Sequence, residues 1–332
     1  MVEKLKYLFL LIFISALSIG LKAQDPHFSQ FYANPLYLNP AFAGSKVCPR
    51  LVMNYRNQWP SIPGSYVTYN ASFDMHFNAI AGGLGVIVQA DRAGEGVLNT
   101  QTAALIYSVR IALSKKWFLK VGAQAGFIQK SIDWDRLTFG DQIDPKWGFS
   151  NNTGELRISD ANRMDFDVST GILLYSDRFY GGVAAHHLAP VNVSLTEDRG
   201  GESYLDMKLT AHAGYMIPLK SSGKRYRPGD PTISPNIVYM QQGAFHQLNW
   251  GAYLKMEPLI FGLWYRHFFE GSDAVIVQVG FEYNKFKFGY SYDITVSQLA
   301  SASGGAHEFS FALDFNCPVK KSRVHEINCP SF

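Results

Sequence analysis

Residues Val275–Asp293 read VIVQVGFEYNKFKFGYSYD. Val275, Val277, Val279, Phe281 and Tyr283 fall on one side of an extended chain, and Gln278, Gly280 and Glu282 on the other, because successive strand side chains point to opposite faces. Asn284-Lys285 breaks the run. The alternation then resumes, with Phe286, Phe288, Tyr290 and Tyr292 opposing Lys287, Gly289, Ser291 and Asp293. Further on, Phe309, Phe311, Leu313 and Phe315 oppose Glu308, Ser310, Ala312, Asp314 and Asn316. Each run therefore has one apolar face and one small or polar face. A β-sandwich shares that pattern, and the polar face separates the two: a barrel in a bilayer turns it toward a wet interior and the apolar face toward lipid.

The pattern extends outward from this region. Asp165, Asp167, Ser169 and Gly171 would point inward while Phe166, Val168, Ile172 and Leu174 meet lipid. Lys116, Lys120 and Gln124 would face the lumen, with Trp117, Leu119, Val121 and Phe127 outside. Further runs cover about Leu51–Gln58, Tyr66–Phe77, Gly82–Asp91, Val97–Leu113, Phe179–Leu188, Tyr204–Ile217, Ile233–Gln241, His246–Met256 and Leu259–Phe269. Together they make about fourteen strands, the even number that single-chain bacterial barrels require. The gaps between them alternate in length. Asn78–Ala81, Ser114-Lys115, Asp177-Arg178 and Glu257-Pro258 are short; Ile132–Arg163, Ala189–Ser203 and Val296–Gly305 are long. Short turns belong on the periplasmic side and long loops outside. Pro218–Pro231 is a long segment on the short-turn side, and reads as a periplasmic docking element.

Composition agrees with a transmembrane antiparallel β-barrel. Of 332 residues 17% are charged, against about 25% in ordinary soluble domains. Aromatics reach 14%, and there are 29 glycines. A formal net charge of +3 is too small to point to nucleic acid. Lys4 and Lys6 precede an apolar run from Tyr7 to Leu21 that ends at Ala23, the pattern of a removable signal peptide over residues 1–23. No later stretch is apolar and long enough for a membrane-spanning helix, but alternating strands escape such averages.

Between the leader and the first strand lies Asp25–Gly44, DPHFSQFYANPLYLNPAFAG. It has no regular period. Asp25-Pro26 opens it, Asn34-Pro35 and Asn39-Pro40 recur inside it, and each proline removes a donor and pushes the residue before it toward extended or turn conformations. Phe28, Phe31, Tyr32, Tyr37 and Phe42 require burial. The segment either packs against its own domain as an arm or acts as a plug or partner-facing lid. The chain thus divides into a leader (1–23), a plug or periplasmic segment (24–48), a barrel (49–316) and a periplasmic tail (317–332).

Tyr55-Arg56-Asn57-Gln58-Trp59-Pro60 spans the end of the first strand and leads into an outer turn; it reads either as a girdle tryptophan with a rigid loop or as part of a surface for a secreted partner. Ser301–Gly305 is a small-residue loop, so Gly304, Gly305 and His307 join Tyr55, Arg56, Asn57, Trp59 and Pro60 as outer-loop candidates. Cys48 precedes the first strand and Cys317 follows the last, so a disulfide between them would staple the seam of a closed barrel. Cys48–Cys329 is the rival pairing, and three free thiols the remaining alternative.

Nothing in the chain calls for catalysis, a metal or a cofactor. His186-His187 would point to opposite faces of a strand. Asp165 and Asp167 share a face but read as lumen charges balanced by neighbouring strands. Gly82-Gly83-Leu84-Gly85 has no helix after it and is no phosphate loop; its glycines permit strand curvature. Metalloprotease, CxxC and nucleophile-elbow motifs are absent.

Asp25–Gly44, Tyr55–Pro60 and Tyr290–Phe311 with its Ser303-Gly304-Gly305-Ala306-His307-Glu308 resemble the PorP/SprF family of outer-membrane proteins of the Bacteroidetes type IX secretion system. The resemblance implies an integral outer-membrane, non-enzymatic component that works with the translocon. PorP-like members connect with periplasmic and peptidoglycan-associated parts. SprF-like members support export or surface attachment of an adhesin carrying a type B C-terminal domain, linked with gliding motility. A porin for small solutes is the alternative that the polar lumen face leaves open.

Overall fold

The computed structural model describes residues 24–46, 48–94, 96–155, 161–195, 203–219, 230–269, 271–296 and 304–317. The leader, the tail with Cys329, and most of the Pro218–Pro231 turn lie outside these residues.

Fourteen strands make the wall: β1 Arg50–Gln58, β2 Tyr66–Phe77, β3 Gly82–Ala93, β4 Leu98–Ala112, β5 Phe118–Ile132, β6 Asn162–Tyr175 and β7 Phe179–His186. They continue as β8 Lys208–Tyr215, β9 Thr232–Gln242, β10 Phe245–Met256, β11 Leu259–Phe268, β12 Gly271–Tyr283, β13 Phe286–Thr295 and β14 Ala306–Asp314. Every strand pairs antiparallel with its sequence neighbours, and β14 returns to pair with β1 from Arg50↔Asp314 to Gln58↔Ala306. The ring is closed, which removes the unpaired edges an open sheet would leave in lipid. Ile217-Pro218 adds a short pairing to β9, and two-residue ladders join Ile143-Asp144 to Gly148-Phe149 and Val191-Asn192 to Tyr204-Leu205.

The alternation sets the faces. Leu84, Val86 and Val88 on β3, and Val277, Val279 and Phe281 on β12, are exposed on the outer wall. Asn54, Arg56, Asn70, Ser72, Asp74, Ser169 and Ser291 are buried inside. A one-residue slip would exchange these sets, so register is strongly specified. Lys116 departs from the expectation of a lumen position. Strand β5 starts at Phe118, and Lys116 sits exposed in the preceding turn, its backbone N–H on Ser114 Oγ at 3.2 Å.

The two ends of the barrel differ. Turns such as 176–178, 257–258 and 284–285 are tight at one end, where Cys48 and Cys317 are bonded with Cα atoms 4.5 Å apart. The opposite end carries, among the described residues, the connecting segments 133–155, 187–195, 203–207 and 304–305. These are the disulfide end and the loop end below.

Candidate functional site

Residues 24–46 run down the inside of the barrel from the loop end to the disulfide end, as their contacts show in sequence. Asp25 is at the loop end. Its backbone N–H donates to Gln242 Oε1 at 2.9 Å, and its carboxylate lies 2.9 Å from His187 Nε2 and 3.3 Å from Lys208 Nζ. His187 meets Asp167 at 2.9 Å on its other nitrogen, so the imidazole bridges two carboxylates. Lys208 also donates to the Tyr37 hydroxyl at 2.8 Å and sits 4.3 Å from its ring centre. Tyr37 donates in turn to the Pro26 carbonyl and packs edge-on against Phe28. His187 lies beyond β7, at the barrel mouth. Burial alone would lower its pKa, but Asp25 and Asp167 outweigh burial and push it up to about 10.

The next station is Ser29, where every polar group is used. Its N–H donates to Glu308 Oε2 at 2.7 Å, its carbonyl accepts from Gln278 at 2.8 Å, and its hydroxyl donates to Asp293 at 2.6 Å. The same hydroxyl accepts from Arg56 at 2.7 Å and Arg266 at 2.6 Å. Gln30 adds its own N–H to Glu308 Oε1 at 3.1 Å, and Ser310 donates to its side-chain carbonyl at 2.6 Å. Around this serine Arg56 pairs with Asp293 at 3.0 Å and Glu308 at 3.2 Å, and Arg266 pairs with Asp293 at 3.0 Å. All four charged side chains are at most 3% exposed. Buried charges at this depth persist only when paired and hydrogen-bonded, and the plug backbone supplies part of that bonding. A register shift in the β11–β12 pairing falls right after Arg266, the kind of bulge that re-aims a side chain.

Deeper in, the aromatics take over. Phe31 packs on Trp264 at 5.0 Å, and Tyr32 meets Tyr180 edge-on at 5.4 Å. Leu36, Ala41 and Phe42 are buried in the same cluster. Burying each large side chain contributes roughly 1.5–3 kcal/mol. The two Asn-Pro pairs have distinct jobs. Pro35 and Pro40 each sit in the first turn of a short helix, Pro35–Leu38 and Pro40–Phe42, where a missing N–H is harmless. Asn34 accepts from Asn70 at 3.0 Å. Asn39 caps the second turn by accepting from Ala41 N–H at 2.9 Å, and donates to the carbonyl of Ile172 at 3.1 Å.

The wall makes room for this backbone with glycine. A Cβ on Gly122 would lie 2.5 Å from Ala41 N, and one on Gly83 2.4 Å from the Ala43 carbonyl oxygen. Gly83 therefore admits the plug, a stronger demand than strand curvature. Gly44 itself has φ of +60°, a left-handed conformation that favours glycine. At the disulfide end Lys120 and Ser108 both donate to the Ala43 carbonyl at 2.6 Å. Gly44 N–H and Arg50 both bond Asp74, the latter in two hydrogen bonds of 2.9 and 3.1 Å.

The outer-loop candidates separate. Trp59 and Pro60 do form a turn at the loop end, and it closes on Gly304-Gly305: Trp59 N–H donates to the Gly305 carbonyl at 2.8 Å, and a Cβ on Gly304 would meet Ser61 Oγ at 2.4 Å. Tyr55, Asn57 and His307 lie on strands instead. Tyr55 packs outside with Tyr69 at 5.2 Å, and His307 accepts from or donates to Tyr290 at 2.9 Å. Arg56 is corrected most sharply: the period-2 alternation of β1 turns it into the lumen, 2% exposed, directly across the seam from Glu308. Cys48 bonds Cys317, not Cys329. Ser29, Gln30 and Arg266 carry the site without having stood out in the sequence. Asp165 accepts from Asn192 N–H at 2.6 Å. Among the described residues no group of three metal-ligating side chains comes together.

A closed, up-and-down antiparallel ring with an apolar outer wall defines an integral outer-membrane β-barrel, here with its own N-terminal segment inside. The sequence profile described as "Type IX secretion system membrane protein PorP/SprF" matches residues 20–313. The chain belongs to the PorP/SprF family of the type IX secretion system. Solved structures similar in fold include Omp33 of Acinetobacter baumannii, at 8% identity over 82% of this chain and 100% of that one with a TM-score of 0.46. A FadL homologue of Pseudomonas aeruginosa is 11% identical over 84% of this chain and 93% of that one, TM-score 0.41. The KdgM porin is 9% identical over 80% and 99%, TM-score 0.37. No curated protein matches.

Proposed function

We propose that this chain is a non-enzymatic, non-conducting barrel of the type IX secretion system that supports secretion or cell-surface attachment of a cargo protein, such as an adhesin with a type B C-terminal domain, in connection with gliding motility. The observation that carries the reading is the Ser29 station. A solute channel has no use for a segment whose backbone completes a buried four-charge network in its own lumen. In this reading the loop end faces outward, where the Trp59-Pro60 turn and Gly304-Gly305 offer a surface to the cargo. The disulfide end, with the tail from residue 317, faces periplasmic or peptidoglycan-associated components of the machinery.

Two measurements test it. A mild-detergent pull-down of the tagged protein from outer membranes, read by mass spectrometry, is expected to bring a large surface adhesin or periplasmic secretion components. Recovery of the barrel alone, with steady ion conductance in planar bilayers, favours the porin reading.

A further inference from the structure

The outer wall is not uniform. Across β2, β3 and β4 the register sets Ala71, Val88 and Ala103 in one row, and Tyr69, Ala90 and Gln101 in the next toward the loop end. The three alanines leave a trough in the wall. Packed aromatics bound it: Tyr69 tilted on Tyr55 at 5.2 Å, continued by Phe309, stands on one side, and Phe127 edge-on to Phe166 at 5.7 Å on the other. The groove has a volume of about 630 Å³ and opens toward the membrane. Among the described residues no charged side chain lines it.

The polarity changes along the strands. On β3 the outward residues run Val86, Val88, Ala90, Arg92 toward the loop end, each about 6.6 Å beyond the last. Tyr69 is shared between the trough and a second pocket above it, about 360 Å³, which is lined by Arg92, Arg136 and Asn99 together with Asp133. Asp133 pairs with Arg136 at 3.2 Å, both exposed, and Arg92 lines the same pocket. Guanidinium is the side chain of choice for phosphate, and arginines at barrel ends lie at headgroup level.

We infer that this wall is a lipid-binding site: one acyl chain of a phosphate-bearing lipid of the surrounding bilayer lies in the alanine trough, with its phosphate at Arg92 and Arg136. The apolar-to-cationic gradient along a single strand fits an amphiphile. A protein partner at this place would have to present an equally apolar ridge ending in an anion. The inference rests on the membrane location of the barrel and is independent of the cargo reading.

The test is native mass spectrometry of the full-length protein released from outer membranes in mild detergent. The wild type is expected to retain a phosphate-containing lipid. Ala90→Trp fills the trough and is expected to remove it. Leu105→Trp, on the same wall outside the groove, is expected to retain it. Arg92→Gln is expected to lower occupancy about tenfold, the factor for one charge-assisted contact, without touching the packing of the trough. Heat-modifiable gel mobility confirms that each variant is a folded barrel. A bare wild type, equal lipid in wild type and both groove variants, a retained lipid without phosphate, or loss of a co-purifying protein instead of a lipid from Ala90→Trp would each overturn the assignment.

Discussion

Ser29 and Glu308 are 279 positions apart in sequence, yet the serine N–H donates to the glutamate carboxylate over 2.7 Å. Glu308 stands on the last strand, directly across the seam from Arg56 on the first. One carboxylate thus serves the plug backbone, a neighbouring guanidinium and the closure of the barrel at once.

Glu308→Ala removes an acceptor for the N–H groups of Ser29 and Gln30 and leaves Arg56 with one acid partner fewer. Breaking a buried pair in this way costs about 3–5 kcal/mol. The expected outcome is a folded but less heat-stable barrel whose N-terminal segment becomes cleavable by protease, measured by gel mobility and N-terminal sequencing. An unchanged cleavage pattern would remove the network from any role in holding the plug.

Gly122→Val places a side chain where Ala41 N lies 2.5 Å away. Overpacking of this kind costs about 1–3 kcal/mol, and it falls on the contact between β5 and the plug. Raised conductance in planar bilayers is the expected readout. Gly140→Ala, with nothing within 4 Å of its new methyl, should leave conductance and stability unchanged.

The loop-end anchor is sensitive to base. His187 has its ordinary value of 6.5 in the unfolded chain and is pushed up to about 10 in place, against burial, by Asp25 and Asp167. A raised value contributes stability that is complete below pH 6.5 and is lost as pH rises through about 10. Protease access to Asp25–Ser29 should therefore increase between about pH 6.5 and pH 10. His187→Gln should abolish the His187 share of that increase and show greater access already at pH 7.

The Cys48–Cys317 bond joins residues 269 apart, one on each flank of the seam. Loss of a native disulfide typically costs 2–5 kcal/mol. Cys48→Ser is expected to lower the unfolding free energy of the barrel by that order, read as a lower urea midpoint in detergent, and reductant should do the same to the wild type. Equal midpoints would show that strand pairing alone holds the seam.

The strands were legible because their outward and inward residues differ in kind at every second position. Phe286, Phe288 and Tyr290 against Lys287, Gly289 and Ser291 need no partner to be read. The Asp25–Gly44 segment stood out for a related reason, five aromatics without a period. What could not be read was partnership inside the lumen. Ser29 is an ordinary serine until five strands of the wall converge on it, and Arg56 looks like part of a turn because Trp59-Pro60 follows so closely. The Arg56↔Glu308 pairing depends on a register that joins the two ends of the chain, and no local pattern encodes it. No local pattern distinguishes Gly122 from other strand glycines; the plug backbone beside it shows why a side chain is excluded.

The order of the chain has a consequence for assembly. The plug precedes β1, and β14, which supplies Glu308 and Ser310 to it, is made last. Zipping β14 against β1 and seating the segment therefore complete one another. A wall zipped up empty would bring Arg56 to Glu308 without Ser29 to receive its second bond. The final hairpin closes with its full set of bonds only around a seated plug, because an empty wall lacks those that Ser29 and Gln30 make to Glu308 and Ser310.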